Sequence, residues 1–163
     1  MNIRPPQPAR PELLDLQDHL LSAERDSSSI TDPQRLPTIG AAFGDGAISF
    51  RDQLVLWKGD ITTLVADAIV NAANSKLLGC FVPHHRCIDN AIHSAAGIQL
   101  RLECHEIMKK QETDEPVGQA KMTRGYNLPA KYVLHTVGPT IYGEVSDEDK
   151  RPIWRGKVTM PHL

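Results

Sequence analysis

The chain is predicted to fold as an α/β domain in which helices flank a mixed sheet. Its 163 residues suit one domain of ordinary size. Hydrophobic residues make up 40% of the chain, which is enough to build a core. Short apolar runs typical of strands alternate with segments of helical periodicity, and this alternation favours the α/β class.

The N-terminal part of the chain is predicted to hold one helix and a connector. Residues 1–10 contain three prolines and no periodicity, so we expect them to be irregular. In residues 11–25 leucines recur at helical spacing, and Pro11 suits a first helical turn. This pattern predicts an amphipathic helix. Residues 26–46 are rich in Ser, Pro and Gly and are interpreted as a connector.

Two apolar runs in the middle of the chain are predicted to be strands. The first, at residues 54–57, is short and is followed by Lys58 and Gly59. The second, at residues 66–73 (ADAIVNAA), is bounded by polar residues. A run of this kind is typical of a fully buried strand in a parallel sheet. Both runs are therefore expected to contribute to the central sheet.

The remaining elements are predicted to be two helices and two strands. Residues 87–96 have helical spacing that Gly97 interrupts, and a second helix is predicted at 98–110. A short strand is expected at 117–124. A clearer one is expected at 131–137 (KYVLHTV).

Composition excludes several classes of partner. The net charge is −2 and the pI is about 6.4. No cluster of Lys and Arg indicates nucleic acid or a membrane surface. No apolar run reaches the length of a membrane span, and the N-terminus lacks the apolar run of a signal peptide. We therefore expect the protein in the cytoplasm. Backbone N–H groups at a helix N-terminus could still bind a phosphate ester.

The cysteines point to a metal site. Cys80, Cys87 and Cys104 lie within 25 residues, and in a reducing cytoplasm such clustering favours a metal or catalytic role over disulfides. Cys80, His85 and Cys87 form a C-x4-H-x-C array, whose donors zinc prefers. Three ligands leave the open position of a catalytic zinc site, unless His84 or Cys104 closes it. The alternative is a loop in which these residues occur by chance.

Polar residues near the central strands are candidates for ligand binding. Asp60 could accept a hydrogen bond from an exocyclic amine at the end of a strand, but a helix N-cap is the better interpretation from the residues alone. Asn71 and Asn74 could hold ribose hydroxyls or stabilise their own loop. Asp89 and His93 share a helix face and could orient a water or a ribose. Without further context, a surface pair is the favoured interpretation.

Four segments of the chain together resemble macrodomains. They are GDITTL, AIVNAANSKLLGC, CIDNAIHSAAG and YVLHTVGP, and they occur in the order and at roughly the spacing of that family. The resemblance covers about residues 11–140 and is highly specific from Gly59 to Gly97. The chain is similar to the microbial zinc-containing branch, in which a stretch resembling CFVPHHRCIDN replaces the usual glycine-rich loop.

The resemblance implies a function as well as a fold. It implies binding of ADP-ribose and removal of mono-ADP-ribose from acidic side chains of a modified protein, which for some members is a lipoylated carrier. Zinc would act as a Lewis acid or lower the pKa of a bound water, or the ligand's own phosphate would assist. The alternatives are a module that binds ADP-ribose without turnover and an inactive, truncated fragment.

The resemblance also implies a role for each candidate residue. Asp60 would accept a hydrogen bond from the adenine amine, with the Ile61 backbone beside it, and Asn71 and Asn74 would line the distal ribose. Zinc would lie near that ribose, in the C-x4-H-x-C array described above. The residues expected at the catalytic end are Asn74, Asp89 and His93.

The similarity predicts three parts of the chain. Residues 1–50 would form a helical extension and connector, residues 51–143 the N-terminal portion of a macrodomain, and residues 144–163 a tail unrelated to the family pattern. Macrodomains continue well beyond the segment YVLHTVGP and carry a second glycine-containing loop that resembles STGVFxFP. No such pattern follows here, so we expect a domain that is incomplete at its carboxyl end, with an unpaired sheet edge.

Overall fold

The fold is built on a mixed β-sheet. The computed structural model describes residues 3–44, 46, 48–83, 85–141, 143–147 and, for the backbone, 157–159. In this part of the chain, four strands form one sheet: β1 (Ala68–Ala73), β2 (Gln119–Arg124), β3 (Tyr132–Val137) and β4 (Lys157–Thr159). Their order is β1-β3-β2-β4. β1 is parallel to β3, β3 is antiparallel to β2, and β2 is parallel to β4.

Helices accompany this sheet, as the sequence predicts. The α-helices of the described residues are α1 (Pro11–Ser27), α2 (Ile39–Phe43), α3 (Ile88–Ala96) and α4 (Ile98–Gln111). Short 3-10 turns occur at Pro33–Arg35, Arg51–Gln53 and Ile61–Thr63. None of the helices in this part of the chain combines the length and the apolar character that a membrane span needs. The α/β class is therefore confirmed, as are the helices predicted at residues 11–25, 87–96 and 98–110 and the strands predicted at 117–124 and 131–137. The segment predicted to be a connector contains the short helix α2, so the prediction is wrong there.

Local interactions explain where α3 and α4 begin and end. The Cys87 side chain caps α3 by accepting a hydrogen bond from the backbone N–H of Asn90. Gly97 has a φ of +100° and separates the two helices. A side chain there would also collide with Gln17, which would lie 2.6 Å from the added carbon. The buried Gln17 of α1 accepts a hydrogen bond from the N–H of Ile98, so α1 is tied to this corner.

The hydrophobic core lies between one face of the sheet and the helices α3 and α4. Alternate residues of β1 and β3 point into it, since successive strand residues face opposite sides. The buried residues of this cluster are Ile69, Leu77, Ile92, Ala96, Leu100, Cys104, Leu128, Ala130, Val133 and Val137. Cys104, which lies within the helix predicted at 98–110, is fully buried in this core.

Two strand predictions need correction. Residues 54–57 form no strand, and Leu56 is 76% exposed. Their backbone contacts α2 through the hydrogen bond from Ile39 N–H to Leu54 O, at the start of that helix. The run at 66–73 does form a strand, but it is not fully buried, because Val70 is 54% exposed. A mainly apolar run therefore predicts a strand here without indicating which of its faces is covered.

The leucines of α1 also differ from expectation. Leu21 is buried, but Leu16 is 70% exposed and Leu20 is 56% exposed. Polar contacts hold the helix to the rest of the domain, among them those of Gln17 and Asp18 with Gln99 and of Asp18 with Asn127. Helical spacing predicted the element correctly but overstated how much of its apolar face is buried.

Candidate active site

A cleft of about 580 Å³ lies where β1 ends and α3 begins. Its walls are the last residues of β1, the loop that follows and the first turn of α3. The sequence-predicted residues that line it are Asn74, Cys80, His85, Cys87 and Asp89. The carboxyl end of a parallel strand is the usual place for a ligand in an open α/β sheet.

Two residues with positive φ direct the loop after β1 across α3. Leu77 has a φ of +56° and is fully buried, so it anchors the turn in the core. Gly79 has a φ of +77°, and a carbon added there would lie 2.9 Å from the His93 ring. The chain can pass this close to α3 only because Gly79 has no side chain. The next residue, Cys80, is thereby placed near the N-terminus of α3.

The three predicted zinc ligands are brought together in this loop. The Cys80 Sγ lies 3.3 Å from the His85 Nδ1, and the ligand atoms of Cys80, His85 and Cys87 are all within 4.8 Å of one another. Burial raises the pKa of the Cys87 thiol, and the neighbouring Cys80 adds to this effect. A cation at this point would oppose that rise, since a coordinating thiol is deprotonated.

Of the two candidate fourth ligands, His84 lies outside the described residues, and Cys104 does not join this group. Cys104 is fully buried and belongs to a second cluster, with His93 and His135. In that cluster both ring nitrogens of His135 are engaged by neighbouring polar side chains, so we interpret it as a hydrogen-bonded part of the core.

Asp89 is the carboxylate of the cleft wall, and two asparagines hold it. Its Oδ1 accepts a hydrogen bond of 2.8 Å from Asn71 Nδ2, and its Oδ2 accepts one of 3.5 Å from Asn74 Nδ2. Asp89 is only 5% exposed. Burial raises the pKa of Asp89, and the hydrogen bond from Asn71 partly opposes this shift.

The two asparagines of the predicted ribose site occupy different environments. Asn74 is exposed at the cleft, where its amide also donates to Gly79 O at 3.2 Å and accepts from Lys76 N–H at 3.0 Å. Asn71 is completely buried beneath the cleft. Of these two amides, Asn74 alone is among the cleft-lining residues.

His93 lies behind Asp89 in the core rather than in the cleft wall. Its Nε2 is 3.5 Å from Asp89 Oδ1, which is ion-pair distance, but neither ring nitrogen has a hydrogen-bond partner among the described residues. Burial lowers the pKa of His93 to about 3, with His135 and Arg101 adding to the shift, so the ring is neutral. Since Asp89 and His93 are both buried, their interpretation as a surface pair is wrong.

Asp60 is placed as the N-cap that its residue type favours. Its Oδ1 accepts hydrogen bonds from Thr62 N at 2.9 Å and from Thr62 Oγ1 at 2.7 Å. Ile61 is half-buried against the core in the same turn. Neither residue is among those that line the cleft beside Asn74.

Other residues of the site were not singled out from the sequence. Phe81 lines the cleft, and the Arg101 guanidinium lies 4.4 Å from the centre of its ring. Thr123 and His135 form polar contacts below the cleft. A polar residue in the mainly apolar run at 131–137 was the signal available for His135, whereas the polar sequence of β2 gave none for Thr123.

Comparisons with known proteins agree on the family. The family model described as "Macro domain" matches residues 70–155. A protein-ADP-ribose hydrolase from Treponema medium is 50% identical over 150 residues, which cover 91% of this chain and 54% of that protein. A protein-ADP-ribose hydrolase from Staphylococcus aureus (strain MSSA476) is 51% identical over 140 residues, covering 86% and 48%.

Solved structures show the same likeness. The crystal structure of the Trypanosoma brucei macrodomain in complex with ADP-ribose superposes with a TM-score of 0.58 at 31% identity, covering 82% of this chain and 56% of that one. The chain spans about half the length of the curated relatives that it matches. From the matched segment and the shared fold, the chain belongs to the macrodomain family.

Proposed function

We propose that the cleft binds ADP-ribose and hydrolyses its link to a modified protein. The observation that carries this proposal is the pairing of the Asp89 carboxylate with the Asn74 amide at the cleft wall. Two relatives that share about half of their aligned residues with this chain are named protein-ADP-ribose hydrolases, and a related macrodomain was crystallised with ADP-ribose. The cleft volume of about 580 Å³ is within the range of small-molecule sites.

The substrate class that we propose is mono-ADP-ribose attached as an ester to an Asp or Glu side chain. Hydrolysis consumes one water, breaks the bond between the ribose and the carboxylate oxygen, and yields a free acid and ADP-ribose. Asp89 accepts the proton of the attacking water and passes it to the departing carboxylate, and its raised pKa improves it as a base near neutral pH. Asn74 orients a ribose hydroxyl beside it.

Zinc is the metal that we propose for the loop beside this cleft. The donor set of two thiols and one imidazole fits zinc, and ligand–ligand distances of about 3.5 Å follow from its usual bond lengths. The 3.3 Å between Cys80 Sγ and His85 Nδ1 agrees with that value. Cys80, His85 and Cys87 would hold the ion. When bound, it would supply Lewis-acid polarisation of a substrate oxygen.

A release assay tests the proposal. A carrier protein that is mono-ADP-ribosylated on acidic side chains is incubated with the chain, with and without a zinc chelator. A lipoylated carrier is the first target to assay, because the resemblance to the family implies it. We expect release by the wild-type protein and loss of release with Asp89→Asn. The matched control is Asp67→Asn, since the Asp67 carboxylate is exposed at the other end of β1 and is not among the cleft-lining residues.

The outcomes separate the parts of the proposal. Release that the chelator abolishes supports a zinc-dependent hydrolase, and release that survives metal removal leaves zinc a structural role. No release by the folded wild-type protein contradicts the hydrolase proposal.

The second candidate is then a binding module, which the small exposed fraction of Asp89 favours, because a buried carboxylate has limited access to water. Calorimetry that detects ADP-ribose binding without product would select it.

A further inference from the structure

A continuous chain of hydrogen bonds runs from the core of the sheet to the cleft. Thr123 on β2 contacts His135 on β3 at 2.9 Å, and His135 contacts Asn71 on β1 at 3.1 Å. Asn71 donates to Asp89 on α3 at 2.8 Å, and Asp89 accepts from Asn74 at 3.5 Å. We call these five residues the polar relay. It links three adjacent strands and one helix to a residue at the cleft surface.

The direction of each bond in the polar relay follows from the chemistry of its members. An ionised carboxylate only accepts hydrogen bonds, so the amide nitrogen of Asn71 faces Asp89. The same nitrogen has a second proton and donates it to His135 Nδ1. A neutral imidazole then carries its proton on Nε2 and donates it to Thr123 Oγ1.

The inner members of the polar relay are buried, which makes the loss of any of its hydrogen bonds destabilising. The rings and amides of His135 and Asn71 are completely buried, and Thr123 is 2% exposed. An unpaired polar group in such a place is destabilising, so the hydrogen bonds of the relay favour one orientation of each neighbour. The register of the parallel pair, in which Asn71 lies opposite His135, brings the two side chains together on the inner face of the sheet.

We propose that His135 is a positioning residue for the reaction in the cleft, acting through Asn71 to hold the Asp89 carboxylate against Asn74. His135 is absent from the cleft wall and therefore cannot touch substrate in this arrangement. Without its Nδ1 acceptor, Asn71 loses one of the two bonds that fix its amide, and Asp89 loses its fixed orientation. This inference rests on the proposed hydrolase function, since it assigns a role within that reaction.

The variants are chosen to separate positioning from folding. His135→Leu removes both ring nitrogens while keeping an apolar side chain of similar bulk. Thr123→Val removes only the far end of the relay and nearly preserves shape. Val133→Ala is the control, because Val133 is a buried neighbour on β3 that takes no part in the relay. All three are expected to lower stability, so activity is measured well below each melting temperature.

Steady-state release of ADP-ribose is the first readout. We expect His135→Leu to lower kcat about 10- to 100-fold with little change in KM, because misplacing a reacting group by about 1 Å has effects of this size. Thr123→Val should lower kcat less, and Val133→Ala should leave kcat unchanged. Equal kcat values for Val133→Ala and the relay variants would overturn the proposal. If His135→Leu does not fold, the comparison of kcat between Thr123→Val and Val133→Ala decides the question.

Side-chain NMR is the second readout and needs no activity. In the wild-type protein we expect the Nε2-protonated form of His135 and slowly exchanging amide protons on Asn71. His135→Leu should shift the side-chain amide signals of both Asn71 and Asn74, while Val133→Ala leaves them in place. An unchanged Asn74 signal in His135→Leu overturns the proposal. If the wild-type protein releases no ADP-ribose, the hydrolase function fails, and these spectra still decide whether the relay positions Asn74.

Discussion

Single residues of the site were predictable to different degrees. Spacing predicted that Asp89 and His93 share a helix face, but it could not show that this face is buried, because burial depends on the sheet beneath it. Similarly, the pair Asn71 and Asn74 is visible in the sequence. Which of the two faces the core is decided by the alternation of β1, where Asn71 lies on the same side as Ile69.

The proposed zinc ligands give a prediction at the scale of single residues. Substitutions of residues that do not contact the metal typically weaken its binding by about 10- to 100-fold. Cys87→Ala should weaken zinc binding by more than this, because it removes a thiolate donor. Zinc per chain, measured by elemental analysis after dialysis, checks this. Cys104→Ala is the control and should retain zinc, since that thiol is buried in the core. Equal zinc content in the two variants would contradict the assignment.

Two buried histidines predict how stability depends on pH. Burial lowers the pKa of His93 to about 3 and that of His135 to about 4, from 6.5. Below about pH 6.5 the unfolded chain therefore binds more protons than the folded one, and the free energy of unfolding falls by up to about 1.4 kcal/mol per pH unit for each ring. The contribution is fully present above pH 6.5 and is lost as the pH falls toward about 4 for His135 and about 3 for His93. The raised pKa of Asp89 offsets part of the loss at the acidic end.

Urea denaturation at several pH values, with chelator present throughout, measures this slope. His135→Asn should make the slope shallower, because one of the two buried rings is gone. His19→Gln is the control, since His19 is exposed on α1. A slope that is the same in His135→Asn and in the wild-type protein would show that His135 does not contribute.

At the scale of elements, local signals predicted helices better than strands. The helix ends near Gly97 are determined by residues close to them in sequence, and they were predicted closely. The apolar run at residues 54–57 has the composition of a strand but is paired with none of the described strands. A strand needs a neighbour, and pairing over long distances along the chain is not visible in a short run of residues.

The loop between β1 and α3 gives a prediction at this scale. Gly79→Ala should destabilise the fold by more than Gly44→Ala does. Both glycines have a positive φ, at +77° and +73°, so an alanine is strained at either position. The alanine at 79 also presses on the His93 ring, whereas nothing lies within 4 Å of the one at 44. Urea denaturation of both variants compares the losses, and equal losses would contradict the described packing.

For the whole molecule, the class was predictable and the topology was not. Alternating elements predicted an α/β fold, but nothing in the spacing indicated that β3 lies between β1 and β2. That order places His135 opposite Asn71 and so creates the polar relay. Residues far apart in sequence were therefore joined by pairing that only the structure reveals. The predicted cytoplasmic location and the three-part division of the chain stay predictions.

The proposed function requires ADP-ribose to occupy the cleft at Asn74. Calorimetric titration of ADP-ribose into the purified chain measures this binding, with Asn74→Ala as the site variant. Gln7→Ala is the control, because Gln7 is an exposed amide that is not among the cleft-lining residues. We predict saturable binding at one site per chain that Gln7→Ala preserves and Asn74→Ala weakens. Absence of binding to the folded wild-type chain, or equal affinity of Asn74→Ala and the wild-type chain for ADP-ribose, would contradict the proposed function of the cleft.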